Sequence, residues 1–123
     1  MPSKPRVLIV DDSSCFRQAA RALLERRGYE VVGEARSAGA AIDAVAALAP
    51  DAVLLDVLLP DGTGFGVCAA ITGHESAPAV LLASSEDFGA CFSMADECGA
   101  RGFVLKSRLG QCELANFWPE AQP

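Results

Sequence analysis

Histidine, tryptophan and tyrosine each occur once in this chain of 123 residues. No CxxC pair occurs, and the five cysteines (Cys15, Cys68, Cys91, Cys98 and Cys112) are widely spaced, with His74 as the one histidine. Zinc-site spacing is therefore absent. The cysteines are expected mostly as small buried apolar residues on helices, Cys91 and Cys98 sharing the inner face of one. No apolar run approaches the roughly 18 residues of a membrane span. In the opening MPSKPRVLIV, Asp11 and Asp12 follow too soon for a signal peptide's apolar core, so a cytoplasmic location without membrane contact is expected. Positive charge is in deficit: a net charge of −6 disfavours direct nucleic-acid binding by this domain. Nucleotide loops are missing too. GTGFG at 62–66 lacks the Gly-x-Gly-x-x-Gly spacing and does not follow the first strand, and no Gly-Lys phosphate loop occurs.

What is present is apolar residue: 51% of the chain, enough for one domain with a sizeable core. Residues 6–10, RVLIV, read as a strand buried on both faces. Phe16, Ala19, Ala20, Leu23 and Leu24 then recur at helical spacing, with Arg17, Gln18, Arg21, Glu25 and Arg26 facing outward and Gly28 suiting the helix end. YEVVGEA is a second strand. A helix from about 38 to 48 has Asp43 as its lone charge and Ala41, Ile42, Val45 and Leu48 among its apolar positions, and Pro50 closes the turn. DAVLLD forms a third strand ending at Asp56, and LLPDGTG leads into a short helix around 64–72. APAVLLAS is a fourth strand. A helix near 87–98 buries Phe88, Cys91, Phe92 and Ala95, RGFVLK is the fifth strand, and a last helix falls within 109–118. Apolar strands alternating with helices predict a parallel sheet with helices on both faces.

In such a sheet the functional crevice lies beyond the carboxyl ends of the strands. Asp11 and Asp12 end the first strand, Asp56 the third, Ser84 and Ser85 the fourth, and Lys106 the fifth. Each has an ordinary structural reading. Asp12, Ser13 or Ser14 can cap the next helix, Asp56 can begin a turn, Ser84 can cap the helix near 87, and Lys106 can be solvated. Asp61 reads as a turn residue beside Gly62. Together, however, they form a constellation. Three clustered carboxylates repel one another unless a divalent cation sits among them, and Mg²⁺ takes oxygen ligands and water. Asp56, the central acid, is placed to attack a phosphoryl group in line and form an acyl phosphate. Lys106 can neutralise one phosphoryl oxygen and Ser84 can hydrogen-bond another.

With VDD at 10–12, LLDVLLPDGTG at 54–64, Ser84 at the end of ASS, and GFVLK at 102–106, the chain resembles the receiver domain of bacterial two-component response regulators. The resemblance runs from about Arg6 to Ala115. It implies a three-layer αβα sandwich of the flavodoxin-like class, its five-stranded parallel sheet of order 2-1-3-4-5 flanked by five helices. Residues 1–118 would form the receiver and 119–123 a tail or the start of a linker. The resemblance implies Asp56 as phosphoacceptor, Mg²⁺ as cofactor, Asp12 as direct ligand, Asp11 acting largely through water, and the Leu58 backbone carbonyl as a further ligand. Ser84 and Phe103 take the switch positions and Lys106 the lysine position. Partners implied are a sensor histidine kinase or phosphotransfer protein, a downstream effector, and a second copy through the face of helix 4, strand 5 and helix 5. The implied function is a phosphorylation-dependent switch that catalyses only its own phosphorylation and dephosphorylation. The alternative is a degenerate receiver acting as an interaction module without phosphorylation. ARGFVLKS also resembles receivers attached to helix-turn-helix effectors, so a stand-alone regulator and part of a transcription regulator both remain open. Two departures stand out: Ser107 occupies the place where the family commonly has proline, and GTGFG begins a helix unusually rich in glycine.

Overall fold

Apolar runs too short for helices become the strands of one parallel sheet. The computed structural model describes residues 4–73, 75–86 and 91–121, without the side chains of Cys91 and Phe92. Its elements are β1 (Arg6–Val10), α1 (Ser14–Arg26), β2 (Glu30–Ala35), α2 (Ala38–Leu48), β3 (Ala52–Asp56), β4 (Leu58–Leu59), β5 (Gly62–Thr63), α3 (Gly64–Ile71), β6 (Ala79–Ser84), α4 (Cys91–Cys98) and β7 (Gly102–Leu105). The sheet order is β2-β1-β3-β6-β7, and every pairing is parallel. This is the expected 2-1-3-4-5 order, with β4 and β5 set aside as a small antiparallel hairpin in the loop after β3.

Alternation along the strands divides the core into two layers. Val7, Ile9, Leu54 and Leu81 face α1 and the C-terminal segment, packing with Ala20, Leu24, Leu109, Leu114 and Trp118. Leu8, Val10, Val53, Leu55, Val80 and Leu82 face the other way, against Ala41, Val67, Cys68, Ile71 and Ala95. Helices therefore cover both faces, and the architecture is the three-layer αβα sandwich. Among the three candidate caps for α1, Ser13 is the one used: its hydroxyl accepts the N–H of Phe16 at 3.2 Å. Phe88 and His74 lie outside the described residues.

The last helix is a correction. Among the described residues no α-helix follows β7; Lys106–Gln111 and Leu114–Asn116 are 3-10 turns. Gly110 within this stretch costs a helix about 1 kcal/mol relative to alanine, and Pro119 bars continuation. The segment still delivers Leu109, Leu114 and Trp118 to the core. Arg27 holds it in place, its guanidinium donating to the carbonyl of Cys112 at 2.6 Å and to that of Gly110. The Tyr29 ring meets Trp118 edge-on at 5.5 Å, and its hydroxyl donates to the Pro119 carbonyl.

The glycine-rich start of α3 also has a steric reason. A side chain at Gly64 would collide with the carbonyl oxygen of Asp56. The glycine lets α3 begin directly against the end of β3, where its N–H donates to the Val57 carbonyl at 2.7 Å.

An acidic pocket at the carboxyl end of the sheet

Strand register brings the polar strand ends together. Asp56 lies opposite Ala83 and Ser84 opposite Leu105, so Asp56, Ser84 and Lys106 emerge on adjacent strands. Asp11 follows β1, which pairs with β3 on its other side. Carboxylate oxygens of Asp11, Asp12 and Asp56 all lie within 4.8 Å of one another. Asp11 and Asp56 are buried, whereas Asp12 is exposed. The Lys106 ammonium stands between the two buried acids, 2.5 Å from Asp11 Oδ2 and 3.3 Å from Asp56 Oδ2. That ion pair compensates the buried Asp11 Oδ2. Asp11 Oδ1 accepts the N–H of Ser13 at 2.9 Å.

The charges are unequal: among the described residues, three carboxyl groups cluster where one ammonium stands. Burial pushes the Asp56 carboxyl above its usual pKa and the neighbouring Asp11 pushes it further; Lys106 and the N–H of Leu58 oppose this without cancelling it. Burial works against the Lys106 ammonium, yet the hydrogen bond and charge of Asp11, and then Asp56, raise its pKa overall. Such an oxygen-rich, anionic pocket fits a hard divalent cation. Leu58, 61% exposed, lies just beyond Asp56 on the hairpin, its N–H 3.4 Å from Asp56 Oδ1. Ser84 is buried, its hydroxyl accepting the N–H of Glu86 at 3.1 Å. Phe103 sits on β7 opposite Leu82 and packs, half-buried, against the layer that includes Ala95 of α4.

Two further residues reach this pocket, and sequence reasoning assigned them elsewhere. Phe16, expected only as a core residue, places its ring 4.6 Å from the Lys106 ammonium, a favourable cation–π contact. Arg17, expected to face solvent, donates to the Asp11 carbonyl at 2.7 Å and to Glu34 at 2.8 Å. Arg21 pairs with the same Glu34. Burial would raise the Glu34 pKa, but the hydrogen bonds from Arg21 and Arg17 hold it below the usual range. Asp61 is more than a turn residue: its carboxylate accepts the N–H groups of Ala38 and Gly39 at 2.7 and 3.1 Å. The one sequence signal for these contacts was helical spacing from Ser13, which puts Phe16 and Arg17 in the first turns of α1.

The cysteines divide. Cys15 is exposed, on the solvent side of α1. Cys68 is buried, and burial together with its contact to Cys98 pushes its thiol up to about 12, a poor nucleophile.

A model of the response regulator receiver domain matches residues 7–114. The chain belongs to the response regulator receiver family. This receiver is 41% identical over 106 residues to the "Probable transcriptional regulatory protein NarL" of Mycobacterium tuberculosis, across 85% of its own length and 49% of that protein's. It thus spans about half the length of that relative. It is 31% identical over 101 residues to the chemotaxis protein CheY of Thermotoga maritima, covering 82% of this chain and 84% of that one. The solved signal receiver domain of NarL from Mycobacterium tuberculosis superposes with a TM-score of 0.83 at 38% identity, covering 89% of this chain and 90% of that one. No helix among the described residues is long and apolar enough to cross a membrane.

Proposed function

We propose that this receiver is the phosphorylation-dependent switch of a two-component system and that Asp56 accepts the phosphoryl group. The observation that carries this reading is the gathering of Asp11, Asp12 and Asp56 at the end of the sheet, with the Lys106 ammonium between Asp11 and Asp56. Mg²⁺ is the cofactor this donor set suits, and Asp12, Asp56 and the Leu58 carbonyl would hold it. Asp11, whose two oxygens already face Ser13 and Lys106, would act through water. The bound cation supplies neutralisation for the carboxylates and for phosphoryl oxygens.

The remaining steps belong to the protein's own side chains. A P–O bond forms to Asp56 as the P–N bond to the histidine of a sensor kinase or phosphotransfer protein breaks. Lys106 leaves its bridging position to neutralise one phosphoryl oxygen, and the Ser84 hydroxyl turns to donate to another. Parity along β6 and β7 sets Ser84 and Phe103 toward the same side of the sheet as Leu82. Movement of Ser84 therefore makes room for the Phe103 ring and reshapes the face of α4, β7 and the C-terminal turns.

That face is the site for the downstream effector or for a second copy of the chain, and Met94, exposed on α4, offers it an apolar contact. In this proposal residues 1–118 are the receiver, 119–123 are tail or linker, and the location is the cytoplasm. The NarL relative's name supports transcription control as the output of a longer protein, with no direct nucleic-acid contact by this domain. A phosphorylation-independent module is not favoured, because every acid, the hydroxyl and the ammonium are present.

Backbone NMR with beryllofluoride and Mg²⁺ tests the switch. Shifts are expected around Asp56 and also at Phe103 and residues 91–98. Shifts confined to the Asp56 pocket would remove the switching step, and no shifts at all would remove the function.

A further inference from the structure

The loop between β3 and α3 bears Leu58, yet it is built from little. Its hairpin has two residues per strand, Leu58 opposite Thr63 and Leu59 opposite Gly62. A two-stranded ribbon is marginal by itself, so its position depends on what holds its two ends. The base is held firmly. The N–H of Val57 donates to the Ala83 carbonyl at 3.0 Å, the N–H of Gly64 donates to that of Val57 at 2.7 Å, and Gly64 rests against Asp56.

The tip is held from a different part of the chain. Asp61 Oδ1 accepts the N–H of Ala38 and Oδ2 accepts that of Gly39, the first two residues of α2. The next N–H, of Ala40, goes to the Ser37 hydroxyl at 3.1 Å. The first turn of α2 has no acid of its own, so Asp61 supplies the negative charge that the positive end of the helix dipole attracts. Gly62 brings the tip backbone close enough that a Cβ there would lie 3.6 Å from that of Ala38. Asp61 is exposed, so hydrogen bonding rather than burial fixes it.

We propose that Asp61 is a positioning residue of the acidic pocket: it clamps the hairpin tip to α2 and so fixes the Leu58 backbone beside Asp56. The consequence for cation binding rests on the Mg²⁺ reading given above; the clamp itself does not. α2 follows β2 and the hairpin follows β3, so the clamp closes a link between two otherwise separate loops at this end of the sheet. A loop tethered at both ends presents the Leu58 carbonyl in one place. With the tip free, the same carbonyl samples many.

Three forms of the full chain separate a clamp from a simple helix cap: wild type, D61A, and the double variant S37D/D61A, in which the carboxylate introduced at the cap position restores a charge to α2 without touching the hairpin. If D61A folds poorly, D61N replaces it, since its amide keeps one acceptor. Mg²⁺ affinity by calorimetry should fall about tenfold in D61A, the scale of losing a group that orients a metal ligand. S37D/D61A should regain thermal stability while its Mg²⁺ affinity stays low. Unchanged affinity in D61A, or affinity recovered along with stability in the double variant, would overturn the proposal. Amide exchange of Leu58 without metal is the independent arm, expected to be faster in both variants; unchanged exchange would equally overturn the clamp. A wild type that bound no Mg²⁺ but showed this exchange pattern would remove the cation reading and leave the clamp standing.

Discussion

Asp56 is held where its charge is costly. It is 7% exposed, and burial followed by the Asp11 charge raises its pKa despite Lys106. A carboxyl whose folded pKa lies above its unfolded value binds its proton more tightly in the folded state. When ionised it therefore subtracts from stability; the deficit shrinks as pH falls through the folded pKa and is gone below the unfolded one. D56N should accordingly raise the urea midpoint at pH 7 without divalent cations, with the gap closing toward acid. A midpoint at pH 7 equal to or below wild type would contradict this. Asp11, Asp12, Asp56, Ser84 and Lys106 were legible in the sequence because each ends a strand, and strand ends in a parallel sheet converge. Phe16, Arg17 and Asp61 were not, because each meets its partner across elements: Phe16 meets Lys106, Arg17 meets Glu34, and Asp61 meets the start of α2. Such pairings follow from register and loop path, which no local spacing records.

At the scale of elements, the five sheet strands were readable because runs such as RVLIV and VLLD are apolar on both faces and short. The β4–β5 hairpin was not readable, since two residues carry no periodicity. The fifth helix was expected from apolar spacing alone, and that spacing is real: Leu109, Leu114 and Trp118 all reach the core. What the spacing could not weigh was Gly110 and Pro119 against Arg27, which satisfies carbonyls that a helix would have bonded internally. The 3-10 segment thus depends on its anchors more than on its own backbone. W118A should cost about 3–5 kcal/mol in urea unfolding, the range for deleting a large buried aromatic. W118F should cost much less, because the Trp118 N–H is buried without a hydrogen-bond partner among the described residues. A W118A loss below about 1 kcal/mol, the size of an ordinary surface or single-methylene effect, would show that the segment is not part of the folded core.

Across the whole molecule, the acidic pocket straddles both layers. Asp11, Asp56 and Lys106 continue the strand parity that faces α1, where Phe16 underlies the ammonium. Ser84 and Phe103 continue the parity that faces α3 and α4. A phosphoryl group on Asp56 would thus bear on both sides of the sheet at once, through Lys106 on one and Ser84 on the other. The proposed switch requires that Asp56 be the residue that takes the group. Asp11 is committed to Lys106 and Ser13, Asp12 is exposed at the rim, and Asp61 is committed to α2. The direct test is intact mass after incubation with acetyl phosphate and Mg²⁺, with the modified residue mapped by fragmentation. The mass of one phosphoryl group should be added to wild type, located on Asp56, and none to D56N at matched time and concentration. Robust labelling of D56N, mapped to another carboxylate, would contradict it.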